Sequence, residues 1–247
     1  MYKPRDRAVP PNRLEKISLE DHVALRQSGE RDHKFWDVKI GPDAVRLKKF
    51  RKEIKTHYWY IQGRRCCYCS KELDSHQGSY DAEHILPKVD FPQFMFEFVN
   101  LAIGCKTCNG RKSNKAVCSG TNDLVEVPLN TDYYSIVHPH FDEWTAHLCF
   151  DEFGRIFPRN GDAKGTATIS ICGIYFLNAA RLADHFQPAY RNQTQKALEV
   201  LCGEDSLIKK QKKLKLLRAL VEGYGLESAI PVLELLEAEC GEANAML

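Results

Sequence analysis

Cys66-Cys67-Tyr68-Cys69 opens a run that continues through Asp81-Ala82-Glu83-His84-Ile85-Leu86-Pro87-Lys88 and Asn100-Leu101, and closes on Cys105-Lys106-Thr107-Cys108-Asn109-Gly110-Arg111-Lys112-Ser113-Asn114. Two Cys-x-x-Cys pairs, 35 residues apart, bracket an acid followed by His. Two turn-borne pairs can close a tetrahedral shell of four thiolates. Such a shell leaves no open position, so the metal it predicts is a structural zinc on Cys66, Cys69, Cys105 and Cys108. Cys67 lies inside the first pair and is an alternative to Cys66.

Between the pairs, Asp74 to Ser79 is turn chemistry and Tyr80 to Ile85 reads as a short strand with Asp81 and Glu83 on one face. Pro87 to Val99 is a loop carrying Phe91, Phe94, Phe96 and Phe98, and Cys105 to Ala116 reads as a helix holding Cys108 and Asn109 in its first turn. Upstream, Leu47, Phe50, Ile54, Tyr58 and Ile61 recur every three or four residues, with Asp43 to cap the run and Gly63 to end it. That is an amphipathic helix. Its other face carries Arg46, Lys48, Lys49, Arg51, Lys52 and Lys55, suited to phosphates, with a solvated surface as the plain alternative. Arg111, Lys112 and Lys115 offer a second basic bank behind Asn109.

Residues 1 to 13 are basic and Pro-interrupted, which predicts an extended or mobile arm. Ser18-Leu19-Glu20-Asp21 resembles a capping box that opens a short helix. Gly29 to Gly41 reads as a connection whose His33, Phe35 and Trp36 serve packing. After Cys118, Asn122 to Asn130 reads as a short strand and turn, and His147 to Phe157 as a hairpin. His138, His140, Asp142 and Glu143 read as a turn and helix cap in preference to a second metal site. Thr166 to Leu177 is apolar without a deciding period. Helices are expected over Ala179 to Phe186, Pro188 to Cys202, Ser206 to Glu222 and Ser228 to Cys240, the third carrying Lys209, Lys210, Lys212, Lys213 and Lys215. The expected organisation is an N-terminal arm and short helix over 1–42, a core with the zinc site over 43–118, and a mixed, then mainly helical region over 119–247.

Apolar residues make up 43% of the 247 positions, enough for a globular unit with additions at both ends. No apolar run reaches the roughly 20 residues a bilayer span needs, and Met1 to Leu14 lacks the apolar core of a signal peptide. A cytoplasmic protein without membrane association is expected, and its ten cysteines then read as metal ligands and free thiols. The net charge of +2 conceals local patches: six basic residues against Glu53 from Arg46 to Lys55, and four with no acid from Lys106 to Lys115. Such patches suit a polyanion.

In its order of elements from Arg65 to Asn114, the sequence resembles the HNH endonuclease family. The resemblance implies an α+β fold with a ββα-metal (HNH, His-Me finger) nuclease core, here stapled by a four-cysteine zinc site and carrying helical N- and C-terminal extensions. It implies His84 as the general base, Glu83 as the acidic metal ligand, Asn100 as the brace of the loop, and Asn109 as the last motif position, a metal ligand. Asn in place of His there makes this an H-N-N variant. One carboxylate and one amide form a hard oxygen shell suited to Mg²⁺ or Mn²⁺. Asp81 would be a carboxylate that either backs the ligands or shares the metal, and Asn114 a backbone contact to substrate. Imidazole, with a reference pKa of about 6.5, suits the base of phosphodiester hydrolysis.

The expected activity is cleavage of DNA. The alternatives are an RNA-directed nuclease and a catalytically silent, zinc-stapled nucleic-acid-binding or adaptor module. The additions also resemble HNH effectors of anti-phage systems of the Septu and retron-associated types. That resemblance implies a partner ATPase docking on the C-terminal helices.

Overall fold

Ser18 Oγ accepts a hydrogen bond from the Asp21 amide at 3.0 Å and so starts the first helix, α1, Leu19–Arg31. These elements belong to a computed structural model that describes residues 2–118, 124–186, 191–203 and 205–245. α1 runs through Gly29, where the connection was expected to begin. Glycine is needed there because the Phe96 ring stands 2.7 Å from where a Cβ would lie. Pro42 sits in the first turn of α2, Pro42–Ile61, after Gly41 at a φ of +90°. α2 buries Leu47, Phe50, Ile54 and Tyr58, four positions of the expected stripe. At its end the buried Gln62 side chain bonds both ways with Ile103, accepting at 2.9 Å and donating at 3.0 Å.

Strand β1, Tyr80–His84, pairs antiparallel with β2, Leu101–Cys105, placing Glu83 opposite Ala102 and His84 opposite Leu101. Helix α3, Lys106–Lys112, follows β2 without a break. β2 was not read from the sequence. All five of its residues are buried, so it carries no alternation to recognise. The chain is of mixed α and β structure, mostly helical, and this small sheet is where α3 and the loop before it are joined.

The chain falls into two units, Met1–Cys149 with Pro158–Gly173, and Phe150–Phe157 with Ile174–Leu247. The expected boundary at 118 lies inside the first. In that unit the N-terminal arm, expected to be extended or mobile, has no helix or strand over residues 2–17 and is fastened down. Arg5 is buried, and its guanidinium donates to the carbonyls of Cys67 at 2.7 Å, Pro139 at 3.1 Å, His138 at 3.3 Å and Asp142 at 3.4 Å. A short helix α4, Trp144–His147, is followed by strand β3, Leu148–Phe150, and strand β4, Ile156–Pro158, where the hairpin was expected. Helix α5, Ala163–Ile171, completes the first unit.

The second unit contains α6, Ile174–Ala183, α7, Arg191–Cys202, α8, Leu207–Tyr224, and α9, Ile230–Ala245. The undecided segment 166–177 is therefore helical, divided at Gly173, whose φ is +61°. Leu182, Leu198, Leu217, Val221, Val232 and Leu236 form the core of this unit. Arg155 ties its parts together, pairing with Asp151 at 2.8 Å and Glu239 at 2.6 Å. Gly225 in the left-handed region ends α8 after Tyr224, two residues beyond the expected Glu222, and α9 runs to Ala245, past the expected Cys240. Asn122 and Pro188, which opened two expected elements, lie outside the described residues, and 124–130 holds no strand. No single helix among the described residues is long and apolar enough to cross a membrane.

Candidate metal centre and cleft

Cys66 and Cys69 stand on the turn after α2, while Cys105 ends β2 and caps α3, its Sγ accepting from the Cys108 amide at 3.4 Å. The sulfurs of Cys66, Cys69, Cys105 and Cys108 all lie within 4.8 Å of one another, and the Cys69 to Cys105 separation is 3.8 Å. A zinc–sulfur bond of about 2.3 Å gives a tetrahedron with an edge of about 3.8 Å, so this buried donor set fits a structural metal such as zinc. Cys67 is outside the group, which decides the alternative in favour of Cys66. Burial pushes the Cys66 thiol up, but hydrogen bonds from Cys105 and Cys108 outweigh it and hold Cys66 well below the usual thiol value. Hydrogen bonds involving Cys105 hold Cys69 and Cys108 above it. No other group of three or more potential metal ligands gathers among the described residues, His138 and His140 included.

His84 ends β1 and lines a cleft of about 620 Å³ together with Asp81, Asn109, Trp36 and the bases Lys48, Arg51, Lys52, Lys55 and Lys88. Its Nε2 lies 3.1 Å from the Met95 carbonyl, and the Trp36 ring meets it edge-on at 4.5 Å. A carbonyl partner requires the proton on Nε2, which leaves Nδ1 as the basic nitrogen. Burial pushes the His84 pKa down to about 3, with Lys88 and Lys112 acting the same way against the Met95 carbonyl and Asp37. The imidazole is thus neutral at neutral pH. A larger hollow of about 700 Å³ offers only His22 as an imidazole, already bonded to the Phe96 carbonyl and stacked on Phe98.

Asn100 is fully buried and closes the loop that follows His84. It accepts from the Leu86 amide at 2.7 Å and donates to the carbonyls of Leu86 at 3.2 Å and Phe94 at 3.1 Å. Asn109, on α3, donates from Nδ2 to Asp81 Oδ2 at 2.9 Å. Glu83, expected in an open shell, is instead interior. Its carboxylate pairs with Lys112 at 2.8 Å and accepts from the Tyr68 hydroxyl at 3.0 Å. Burial raises the Glu83 pKa, while Lys112 and Tyr68 pull it down. Lys112 also donates to the His84 carbonyl at 2.8 Å.

The basic residues divide. Lys48 and Lys52 are exposed and line the cleft; Lys49 is exposed but does not line it. Arg46 is engaged by Asp21 at 2.9 Å and Asp43 at 3.2 Å. Lys115 donates to the Ile171 carbonyl at 3.0 Å, Arg111 and Asn114 are exposed outside the cleft lining, and Lys112 is interior. Sequence reasoning missed Trp36 and Lys88 as cleft residues and Tyr68 as the partner of Glu83. Trp36 comes from a three-residue turn, Phe35–Asp37, where no periodicity marks a face. Lys88, paired with Asp37 at 3.0 Å, lies four residues after His84, and that proximity was the available signal.

No family model matches the chain, and no solved structure matches it. The chain is similar to the Septu protein PtuB of Bacillus thuringiensis, with 28% identity over 118 residues, covering 48% of this chain and 39% of that protein. It thus spans well under half the length of the relative it matches.

Proposed function

We propose that this chain is a metal-dependent endonuclease of the HNH type that hydrolyses phosphodiester bonds in DNA and takes part in anti-phage defence. The observation that carries the reading is one cleft lined by the His84 imidazole, two carboxylates, Asp37 and Asp81, the Asn109 amide and several cations. His84 Nδ1 takes the proton of the attacking water, and the Met95 carbonyl on Nε2 holds the ring in the tautomer this requires. Lys48 and Lys52 fix the flanking phosphates. Asn109 and a carboxylate from β1 would hold a divalent cation such as Mg²⁺ or Mn²⁺. When bound, that ion supplies positive charge opposite the charge that develops on the phosphate. Asn100 keeps the loop behind His84 closed, and a structural zinc on the four cysteines keeps α3 against the sheet.

Similarity to the Septu protein PtuB supports the defence role, and a partner protein such as an ATPase is part of the same proposal through the resemblance of the additions to Septu-type effectors. A second reading, a silent nucleic-acid-binding module, draws on one observation, the withdrawal of Glu83 against Lys112. Incubation with supercoiled DNA, linear DNA and RNA under Mg²⁺, Mn²⁺ or chelator separates the readings. Chelator-sensitive DNA cutting is expected, falling by about 10²- to 10⁴-fold in His84→Ala. Equal cutting by that variant would end the nuclease reading, and preferential RNA cutting would change its substrate.

A further inference from the structure

Two carboxylates stand on the same face of β1, and the fold treats them differently. The side chain of Glu83 is 2% exposed and that of Asp81 35%. Glu83 is enclosed by Lys112 and Tyr68, Lys112 is itself 1% exposed, and neither Glu83 nor Lys112 lines the cleft. Drawing Glu83 out to a hydrated ion would leave the Lys112 ammonium buried and unpaired, a costly state. Asp81 lines the cleft with His84 and Asn109. Both Asp81 oxygens already attract donors, Oδ2 from Asn109 at 2.9 Å and Oδ1 from the exposed Lys106 ammonium at 3.2 Å. Lys106 sits where a positive charge is favoured and, being on the surface, is free to leave. Asn109 faces Asp81 with Nδ2, and a turn of its amide would present Oδ1, a hard oxygen, to a cation held on Asp81.

We infer that Asp81, together with Asn109, forms the divalent-cation seat of the cleft, and that Glu83 is a buried strut which, through Lys112, holds α3 to the backbone of His84. The inference rests on the nuclease reading for the purpose of the cation but not for its position. Lys112 is accordingly a positioning residue for His84, not a phosphate contact.

The test measures Mn²⁺ binding to the zinc-loaded full chain by electron paramagnetic resonance of the free ion, with DNA cutting assayed on the same samples. Asp81→Asn is expected to weaken Mn²⁺ binding at least tenfold with zinc content and Tm unchanged. Glu83→Gln is expected to lower Tm and leave Mn²⁺ affinity within about twofold. Should Glu83→Gln fail to fold, the double variant Glu83→Gln/Lys112→Met removes both buried charges and is expected to bind Mn²⁺ like wild type. Wild-type affinity in Asp81→Asn, loss of affinity in the folded Glu83 variants, or no Mn²⁺ uptake by wild type would each overturn the inference. Mn²⁺ held through Asp81 in a chain that cuts nothing would leave the seat standing and remove the nuclease reading.

Discussion

Cys66 and Cys67 are neighbours with different work. Cys66 Sγ faces the other three sulfurs, whereas Cys67 is a buried thiol that burial pushes well above its usual pKa. Cys105→Ser should therefore lower zinc content and Tm together, since a structural metal contributes folding free energy. Cys67→Ser should leave one zinc per chain, as read by metal analysis of the purified protein. The set Cys66, Cys69, Cys105 and Cys108 was legible in the sequence because ligand spacing is a local property. Strand position alone did not separate Asp81 from Glu83, because an alternating strand puts both on one face, and it was the resemblance that gave Glu83 the ligand role. What divides them is depth under α3, set by Lys112, 29 positions on from Glu83, and that is a tertiary fact.

Elements with a period were legible, and those without one were not. α2 followed from its apolar stripe, while β2, buried on all sides, and the turn that presents Trp36 left no trace. The N-terminal arm was legible only in part. Its composition reads as a tail, yet one guanidinium with five N–H groups satisfies carbonyls of two distant segments, the Cys67 turn and residues 138–142. Arg5→Ala would strand those buried acceptors, and we expect a loss of about 3 kcal/mol in urea unfolding of the first unit. Lys3→Ala, at an exposed position nearby, should be neutral.

Across the first unit, several imidazoles are held neutral. Burial pushes His140 down to about 4 and His84 to about 3, and it takes His138 well below the usual value. The unfolded chain takes up protons near pH 6.5 and the folded chain does not until far lower. Stability is therefore full above about pH 6.5 and falls as the pH drops toward 4. His140 alone should cost about 3 kcal/mol across that window. Tm measured from pH 7 to 4 should decline, and less steeply in His140→Gln.

Gly29 gives the closing consequence. It lies on α1, away from the cleft lining, yet its missing Cβ is what admits Phe96, whose ring is 5.5 Å from Trp36, itself 4.5 Å from His84. Aromatic rings packed in series transmit displacement because close-packed interiors deform little. A single methyl group added on this helix would therefore be felt three rings away, at the His84 imidazole. The tolerance of the cleft to change is therefore set in part at Gly29, a position that does not line it.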